Sequence, residues 1–354
     1  MSPTSDSRLQ VAVAVDLPAE HCRMIEHLEP RVRVLHRPDL NRPARWDADW
    51  EGDPGFTRTH EQEREFAELL EGADALFGIP DVDPARLAGA VRANPRLRWV
   101  HTTAAGGGAQ VRTAGLAPAD LERVAFTTSA GVHGSTLAEF ALFGVLAGAK
   151  DLRRLERDQA SRHWSSERRA MRHLDEMTVL IVGLGGIGAA AASRFAACGS
   201  TVWGTSRSGR PVEHVERVVP LEELATAASQ ADAIVVTLPG TPSTERLIGA
   251  EVLAAVRPGT ILVNVGRGTV VDEDALLPAL EDGRIGFAAL DVFATEPLPE
   301  ASPLWSHPNV LVSPHTAALS RQEGRRIAKL FARNATRLLD GEPLLNRVDT
   351  VEFY

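Results

Sequence analysis

Three residues distant in the chain, Arg267, Glu296 and His315, carry the side chains most able to do chemistry together. They stand in the segments Asn264-Val265-Gly266-Arg267-Gly268, Asp291-Val292-Phe293-Ala294-Thr295-Glu296-Pro297 and Ser313-Pro314-His315-Thr316-Ala317. An arginine offers a planar, permanently charged fork that matches a carboxylate. A histidine beside a carboxylate is a proton donor and acceptor suited to neutral pH, because the negative neighbour stabilises the imidazolium. One anion clamp plus one acid–base pair suits a reaction at a carbon next to a carboxylate. Taken singly, the three would read as a surface ion pair, a loop carboxylate and a turn histidine. Their order, with 29 positions from Arg267 to Glu296 and 19 from Glu296 to His315, makes them a set.

Such a set needs a scaffold, and the sequence outlines one. Upstream lies Gly183-Leu184-Gly185-Gly186-Ile187-Gly188, directly after the apolar run Thr178–Val182 and directly before an alanine-rich helical stretch. Strand, glycine turn and helix in that order form a dinucleotide-binding turn. Gly183 permits the tight turn, Gly185 lets the backbone approach a pyrophosphate, and Gly188 lets helix and strand pack closely, with the helix N-terminus facing the negative charge. Arg267, Glu296 and His315 then read as a hydride-transfer site for a 2-oxo or 2-hydroxy acid.

An acidic residue usually closes the second strand of an NAD site, on the ribose 2′-hydroxyl. This chain has Trp203-Gly204-Thr205-Ser206-Arg207-Ser208-Gly209-Arg210 there. Without a carboxylate to repel a 2′-phosphate, and with Ser206 and Arg207 able to bind one, the reading favours NADP over NAD. A solvated loop arginine is the plainer alternative.

Apolar runs at Val11–Val15, Val32–Leu35, Ala75–Ile79 and Leu97–Thr102 alternate with helical patterns at Ala19–Leu28, Glu61–Leu70 and Pro84–Val91. A second series begins at Thr178–Val182 and continues through Thr201–Thr205, Ala233–Leu238, Ile261–Val265, Gly286–Leu290 and Val310–Val312. Helical stretches at Ala189–Cys198, Leu221–Ser229 and Glu273–Glu281 lie between them. This alternation predicts α/β architecture with parallel sheets, the second a six-stranded Rossmann-type sheet. The stretch from Arg37 to His60 breaks the pattern and is expected to be an irregular excursion. Ser135 opens a long apolar helix, and the arginine-rich run from Lys150 to Arg172 is expected to be a solvated face or a subunit contact. A last amphipathic helix, about Gln322 to Leu339, is expected to return to the first lobe.

These segments resemble the D-isomer-specific 2-hydroxyacid dehydrogenase family, glyoxylate/hydroxypyruvate reductases in particular, from about Trp99 to Val348. Thr128-Ser129-Ala130-Gly131-Val132-His133, Ala138-Glu139-Phe140, Leu238-Pro239, Ala289-Leu290-Asp291-Val292-Phe293 and Gly341-Glu342-Pro343-Leu344 support the likeness. The resemblance implies two Rossmann-like or flavodoxin-like lobes. A substrate lobe of residues 1–128 and 319–354 would receive a doubly wound, parallel-sheet cofactor lobe, 129–318, as an insertion. It implies that Arg267 clamps the substrate carboxylate and carbonyl oxygen, that His315 is the general acid or base, and that Glu296 orients it. Gly183, Gly185, Gly186, Ile187, Gly188, Ser206, Arg207, Leu238, Pro239, Val265, Gly266, Arg267, Asp291 and His315 would line the cofactor, with Asp291 at the nicotinamide carboxamide.

Ala105, Gly106 and Gly107 match the loop whose backbone N–H groups receive the substrate carboxylate, although Gly108 stands where the family often has an acidic residue. His101 and His133 read as structural hydrogen-bonders rather than catalysts. The implied reaction is reduction of a small 2-oxo acid to a D-2-hydroxy acid without a metal. Formate oxidation on the same fold pairs the histidine with glutamine, against Glu296; phosphite oxidation and a corepressor-like, dinucleotide-sensing interaction protein remain alternatives. Tyr354 follows closely on the last helix, so neither a long partner-binding tail nor an appended regulatory domain is expected.

Composition sets outer bounds. The 354 residues suit two domains, and 44% apolar with 24% charged residues lets each bury a core. A net charge of −9 disfavours wholesale attraction to nucleic acid or anionic membrane. Leu9–Val15 is too short for a membrane span or signal core. Cys22 and Cys198 lack metal-ligand spacing and read as two reduced, buried thiols, consistent with a cytoplasmic location. The resemblance adds a homodimer.

Overall fold

The computed structural model describes residues 8–351 and Phe353. The chain divides into two compact units, Met1–His133 with Leu319–Tyr354, and Gly134–Ala318.

The first unit is built on strands β1 (Leu9–Val13), β2 (Val32–Leu35), β3 (Ala75–Phe77), β4 (Trp99–His101) and β5 (Ala125–Thr127), with helices α1 (Ala19–Leu28), α2 (His60–Glu71), α3 (Pro84–Ala93), α4 (Gly108–Thr113) and α5 (Pro118–Arg123) between or after them. The sheet is parallel, in the order β2-β1-β3-β4-β5, which is the flavodoxin-like arrangement. Side chains alternate across it. Val11, Val13, Phe77 and Trp99 enter one core, and Ala12, Leu76, Val100 and Phe126 the other. The period of two in strands thus buries both faces and explains the nearly unbroken apolar runs.

The second unit opens with α6 (Gly134–Ala149) and α7 (Leu152–Ala160). Strands β6 (Thr178–Val182), β7 (Thr201–Thr205), β8 (Arg217–Val219), β9 (Ala233–Val236), β10 (Thr260–Asn264), β11 (Ile285–Leu290) and β12 (Val310–Val312) follow, with helices α8 (Gly186–Ala197), α9 (Leu224–Ala228), α10 (Ala250–Ala255) and α11 (Glu273–Glu281). All pairings are parallel and the order is β12-β11-β10-β9-β6-β7-β8. The sheet is doubly wound about β6. Val179, Ile181, Val235 and Val263 face α6 and α8, whereas Leu180, Val182, Ile234 and Leu262 face α9 to α11.

The final helix, α12 (Glu323–Leu339), packs in the first unit, where Phe331 stacks on Trp99 at 4.3 Å between ring centroids. Among the described residues no helix is long and apolar enough to cross a membrane, and no group of three or more His, Cys, Asp and Glu can hold a metal ion.

Several expectations change. The second sheet has seven strands, not six, because β8 is a three-residue edge strand with an exposed first residue, too short for an apolar run to show. The short β5 also went unread, and β1 begins two residues before the apolar run suggested. Cys22 is buried, but Cys198 is exposed, because it caps the last turn of α8 where the chain leaves the core.

The excursion of residues 37–60 is not featureless. It holds a 3₁₀ turn at Pro38–Leu40, and Thr59 and Gln62 form a reciprocal capping box at the start of α2. Arg58, nearly fully buried, makes a two-pronged pair with Asp81 at 2.7 and 2.9 Å and lies over the ring of Phe66. Helix α7 buries none of its residues, which fits a solvated face and a subunit contact alike.

Candidate functional site

Since every strand of the second sheet runs the same way, the loops after β6, β7, β9, β10, β11 and β12 emerge along one edge. That is the edge at which open α/β sheets bind ligands. All the cofactor and catalytic candidates of this unit follow those strands.

The glycine turn comes first. Gly183 has φ of +109°, outside the range open to other residues, and its N–H donates to Thr205 Oγ1 at 3.0 Å. A Cβ on Gly188 would fall 2.0 Å from the Gly183 carbonyl, so only glycine lets α8 begin this close to β6. At Gly185, by contrast, a Cβ would meet nothing within 4 Å. Gly185 to Ile187 form the first turn of α8, whose N–H groups have no acceptor within the helix. Open space in front of free donors at a helix N-terminus fits a phosphate group. After β7, Ser206 is half-buried and Arg207 exposed, and the Ser206 hydroxyl meets that of Ser208 at 3.0 Å.

Leu238 and Pro239 follow β9. The neighbouring Thr237 ties this loop to the glycine turn by donating to the Gly183 carbonyl at 2.5 Å. After β10, the buried Asn264 folds the next turn. Its Oδ1 accepts from Gly266 N at 3.0 Å and its Nδ2 donates to the Arg267 carbonyl at 3.1 Å. Val265 is buried, while Arg267 is thrown outward, with Nη1 donating to the Gly266 carbonyl at 2.8 Å.

Beyond β11, Asp291 is 1% exposed. One of its oxygens accepts from Ser313 Oγ, Thr316 N and Ala317 N at 2.5, 2.9 and 3.0 Å, and its backbone carbonyl accepts from His315 N at 2.9 Å. The other carboxylate oxygen is buried and has no partner among the described residues. A buried acceptor left unpaired is costly, and an amide NH₂ group such as that of nicotinamide would satisfy it. Asp291 therefore also caps the loop that carries His315, a role its place in the motif does not reveal.

The acid–base pair is formed. Glu296 Oε1 accepts from Phe293 N at 2.9 Å, which aims Oε2 at His315 Nδ1, 2.7 Å away. His315 holds φ of +56°, an uncommon conformation imposed by the hydrogen bonds that Asp291 makes around it. Arg267, Glu296 and His315 line one recess of ≈ 340 Å³ together with Gly240, Thr269 and Phe293. The side chains of His315 and Glu296 are 44% and 35% exposed, so protons can exchange with solvent. A guanidinium and a carboxylate-held imidazole at one recess can bind a small anion and move a proton at it.

The remaining candidates belong to the first unit. Ala105 and Gly106 are exposed at a turn between β4 and α4, and Gly107 is buried against Thr102. His101 is fully buried, and His133 Nε2 lies 3.2 Å from Glu323 Oε1.

Comparison with known proteins agrees with this geometry. The family model described as "D-isomer specific 2-hydroxyacid dehydrogenase, NAD binding domain" matches residues 142–317. A D-isomer specific 2-hydroxyacid dehydrogenase from Xanthobacter autotrophicus Py2, solved with NADPH and MES, is 34% identical with a TM-score of 0.76, covering 98% of this chain and 100% of its own. The chain belongs to the D-isomer specific 2-hydroxyacid dehydrogenase family. An NADPH-dependent glyoxylate/hydroxypyruvate reductase from Sinorhizobium meliloti, solved with NADP and sulfate, is 26% identical with a TM-score of 0.75, covering 98% of this chain and all of its own. Glyoxylate/hydroxypyruvate reductase A of Citrobacter koseri is 39% identical over 180 residues, 51% of this chain and 57% of that protein. The match thus spans little more than half of that relative. Membership of the family makes the protein an NAD(P)-dependent oxidoreductase acting on 2-hydroxy or 2-oxo acids.

Proposed function

We propose that this protein reduces a small 2-oxo acid of the glyoxylate or hydroxypyruvate kind to the D-2-hydroxy acid, with NADPH as the preferred donor. The observation that carries the reading is the 2.7 Å contact between His315 and Glu296 at the recess that Arg267 also lines.

Bound nicotinamide supplies the hydride to the carbonyl carbon. The chain supplies the rest. Arg267 binds the substrate carboxylate and draws charge from the carbonyl oxygen. Glu296 holds the Nδ1–H of His315, so Nε2 is the nitrogen that gives its proton to the oxygen as the alcohol forms. Exposure of the pair lets solvent return that proton. Gly183, Gly185, Gly186, Ile187 and Gly188 seat the pyrophosphate, Leu238, Pro239, Val265 and Gly266 border the cofactor, and Asp291 takes the carboxamide. Ala105 and Gly106 present backbone N–H groups to the substrate carboxylate, whereas the Gly107 N–H, expected to join them, donates to the Ala104 carbonyl at 3.4 Å.

In the domain reading that accompanies this proposal, the first unit binds substrate and Gly134–Ala318 binds the dinucleotide. Ser206 and Arg207 favour the 2′-phosphate, as does the absence of any acidic residue from Thr201 to Pro211. A cytoplasmic homodimer is part of the same proposal; exposed Phe143, Leu155 and Trp164 on and beyond α6 and α7 supply apolar surface for it.

The test is a spectrophotometric screen of 2-oxo acids with NADPH and NADH in parallel. Turnover of glyoxylate or hydroxypyruvate is expected, with NADPH preferred; NADPH binding without turnover of any 2-oxo acid ends the proposal. Arg207→Asp should move the NADPH-to-NADH ratio of kcat/KM toward NADH by about 10- to 100-fold, the value of one charged hydrogen bond. An unmoved ratio removes Arg207 from the 2′-phosphate site.

A further inference from the structure

Beneath the loop of Ala105 to Gly107 runs a line of buried polar groups that the chemistry above does not use. The Trp99 indole donates to Thr127 Oγ1 at 2.8 Å, and Thr127 Oγ1 lies 2.7 Å from His101 Nδ1. On the other side of the ring, His101 Nε2 lies 3.2 Å from Ser129 Oγ, which donates to the Thr102 carbonyl at 3.0 Å. Trp99, His101, Thr102, Thr127 and Ser129 are all fully buried.

The two ends fix the direction of every bond between them. An indole N–H can only donate and a carbonyl oxygen can only accept. Ser129 has a single hydroxyl hydrogen, and the Thr102 carbonyl takes it, so the contact with His101 requires a hydrogen on Nε2. Thr127 has a single hydroxyl hydrogen as well, and His101 Nδ1 is its acceptor among the described residues, so Nδ1 is bare. Both ends select the same species, a neutral imidazole carrying its proton on Nε2. An imidazolium would leave the buried Thr127 hydroxyl hydrogen with no acceptor among the described residues. Burial acts in the same sense, lowering the His101 pKa to about 3. Phe77 and Phe331 pack around the ring and hold its plane.

The far end of the line is the base of the loop. Thr102 N donates to the Thr127 carbonyl at 2.8 Å, Thr102 Oγ1 to the Ala104 carbonyl at 3.0 Å, and Ser129 N to the same Ala104 carbonyl at 3.3 Å. Gly107 folds back so closely that a Cβ there would lie 1.9 Å from Thr102 Oγ1. The loop is therefore pinned at Thr102, Ala104 and Gly107, and only its tip is exposed.

We infer that His101 is a positioning residue for substrate binding, which, as a neutral Nε2–H imidazole, orients the Thr102 carbonyl through Ser129 and so sets the amides of Ala105 and Gly106. This rests on the reading that those amides meet the substrate carboxylate. The polarity makes a specific demand on substitutions. Glutamine can accept from Thr127 and donate to Ser129, whereas phenylalanine fills the space and does neither.

The experiment uses the full chain carrying His101→Gln, His101→Phe or Ser129→Ala, the last breaking only the final link and so guarding against failure of the phenylalanine variant to fold. Nitrogen-15 spectra of wild type should show a protonated Nε2 and a bare Nδ1, unchanged between about pH 5 and pH 9. A protonated Nδ1, or titration in that range, overturns the inference. In His101→Phe and Ser129→Ala the amide resonances of Ala105 and Gly106 should move, and KM for the 2-oxo acid should rise on the order of 10- to 100-fold with kcat less affected and NADPH affinity unchanged. His101→Gln should return most of both. Loop amides that stay in place in Ser129→Ala, or a KM set by thermal stability alone, overturn it too. Absence of turnover in wild type would count against the proposed function, whereas the imidazole and amide spectra judge the positioning role by themselves.

Discussion

Two histidines at the ends of parallel strands stand in opposite surroundings. His315, beyond β12, is 44% exposed and bonded to a carboxylate. His101, the last residue of β4, is fully buried, and among the described residues its ring nitrogens meet only hydroxyl groups. The contrast teaches that the hydrogen inventory around an imidazole, more than the imidazole, decides its work. A carboxylate on Nδ1 leaves Nε2 able to serve a second oxygen, and exposure leaves the pair open to solvent. Around His101, among the described residues, both hydroxyl hydrogens and the one ring N–H are already engaged, and no carboxylate stands beside the ring to stabilise an imidazolium.

Replacing the exposed member should do the greatest damage to chemistry. His315→Asn is expected to lower kcat/KM by about 10²- to 10⁴-fold, the range of a lost general acid, with NADPH affinity preserved. Steady-state kinetics beside a fluorescence titration would check it; equal losses in both would mean that the two histidines are structural alike. Arg267→Lys keeps the charge and discards the fork. Its KM for the 2-oxo acid should rise by about 10- to 100-fold, since hydrogen bonds to charged groups contribute ~1.5–3 kcal/mol each. An unchanged KM would show that the recess does not hold the carboxylate. Glu296→Gln retains an acceptor for Nδ1 but not its charge, and kcat should fall by roughly tenfold, as expected when a charge-assisted bond becomes a neutral one.

The same contrast marks what could be read without coordinates. Motif residues were legible because each must be of one type. Only glycine tolerates the φ of Gly183 or the carbonyl beside Gly188, and the strand–turn–helix context followed from apolar runs. The two parallel sheets were legible for the same reason, except at β5 and β8, three-residue strands at a sheet edge too short for an apolar run to stand out.

Features that depend on long-range pairing were hidden. Arg58 and Asp81 are 23 positions apart, and neither stands in a pattern that announces a buried ion pair. Asp291 is expected from its motif to lie at the cofactor, but the motif does not reveal it as the cap of the His315 loop, because its partners Ser313, Thr316 and Ala317 are common residues. Likewise, nothing in Trp99, Thr127 and Ser129 tells which nitrogen of His101 carries hydrogen. That follows only when a donor and an acceptor are seen at the two ends.

The last expected effect separates the two histidines by acid rather than by rate. In the unfolded chain His101 should take a proton near its ordinary value of 6.5, whereas in the folded protein burial withholds it until about pH 3. Between those values the unfolded state binds more protons than the native one, so acid favours unfolding. Stability from the neutral imidazole is complete above about pH 6.5 and is lost as pH falls toward 3, by at most ~1.4 kcal/mol per pH unit for one group. Carboxylates titrate alike in wild type and in His101→Gln, so the difference between the two isolates the imidazole. Urea unfolding at a series of pH values should show the variant's deficit at pH 7 shrinking steadily toward pH 4. Parallel curves over that interval would mean that His101 accepts protons in the folded state, and the distinction between a working and a withheld imidazole would fail.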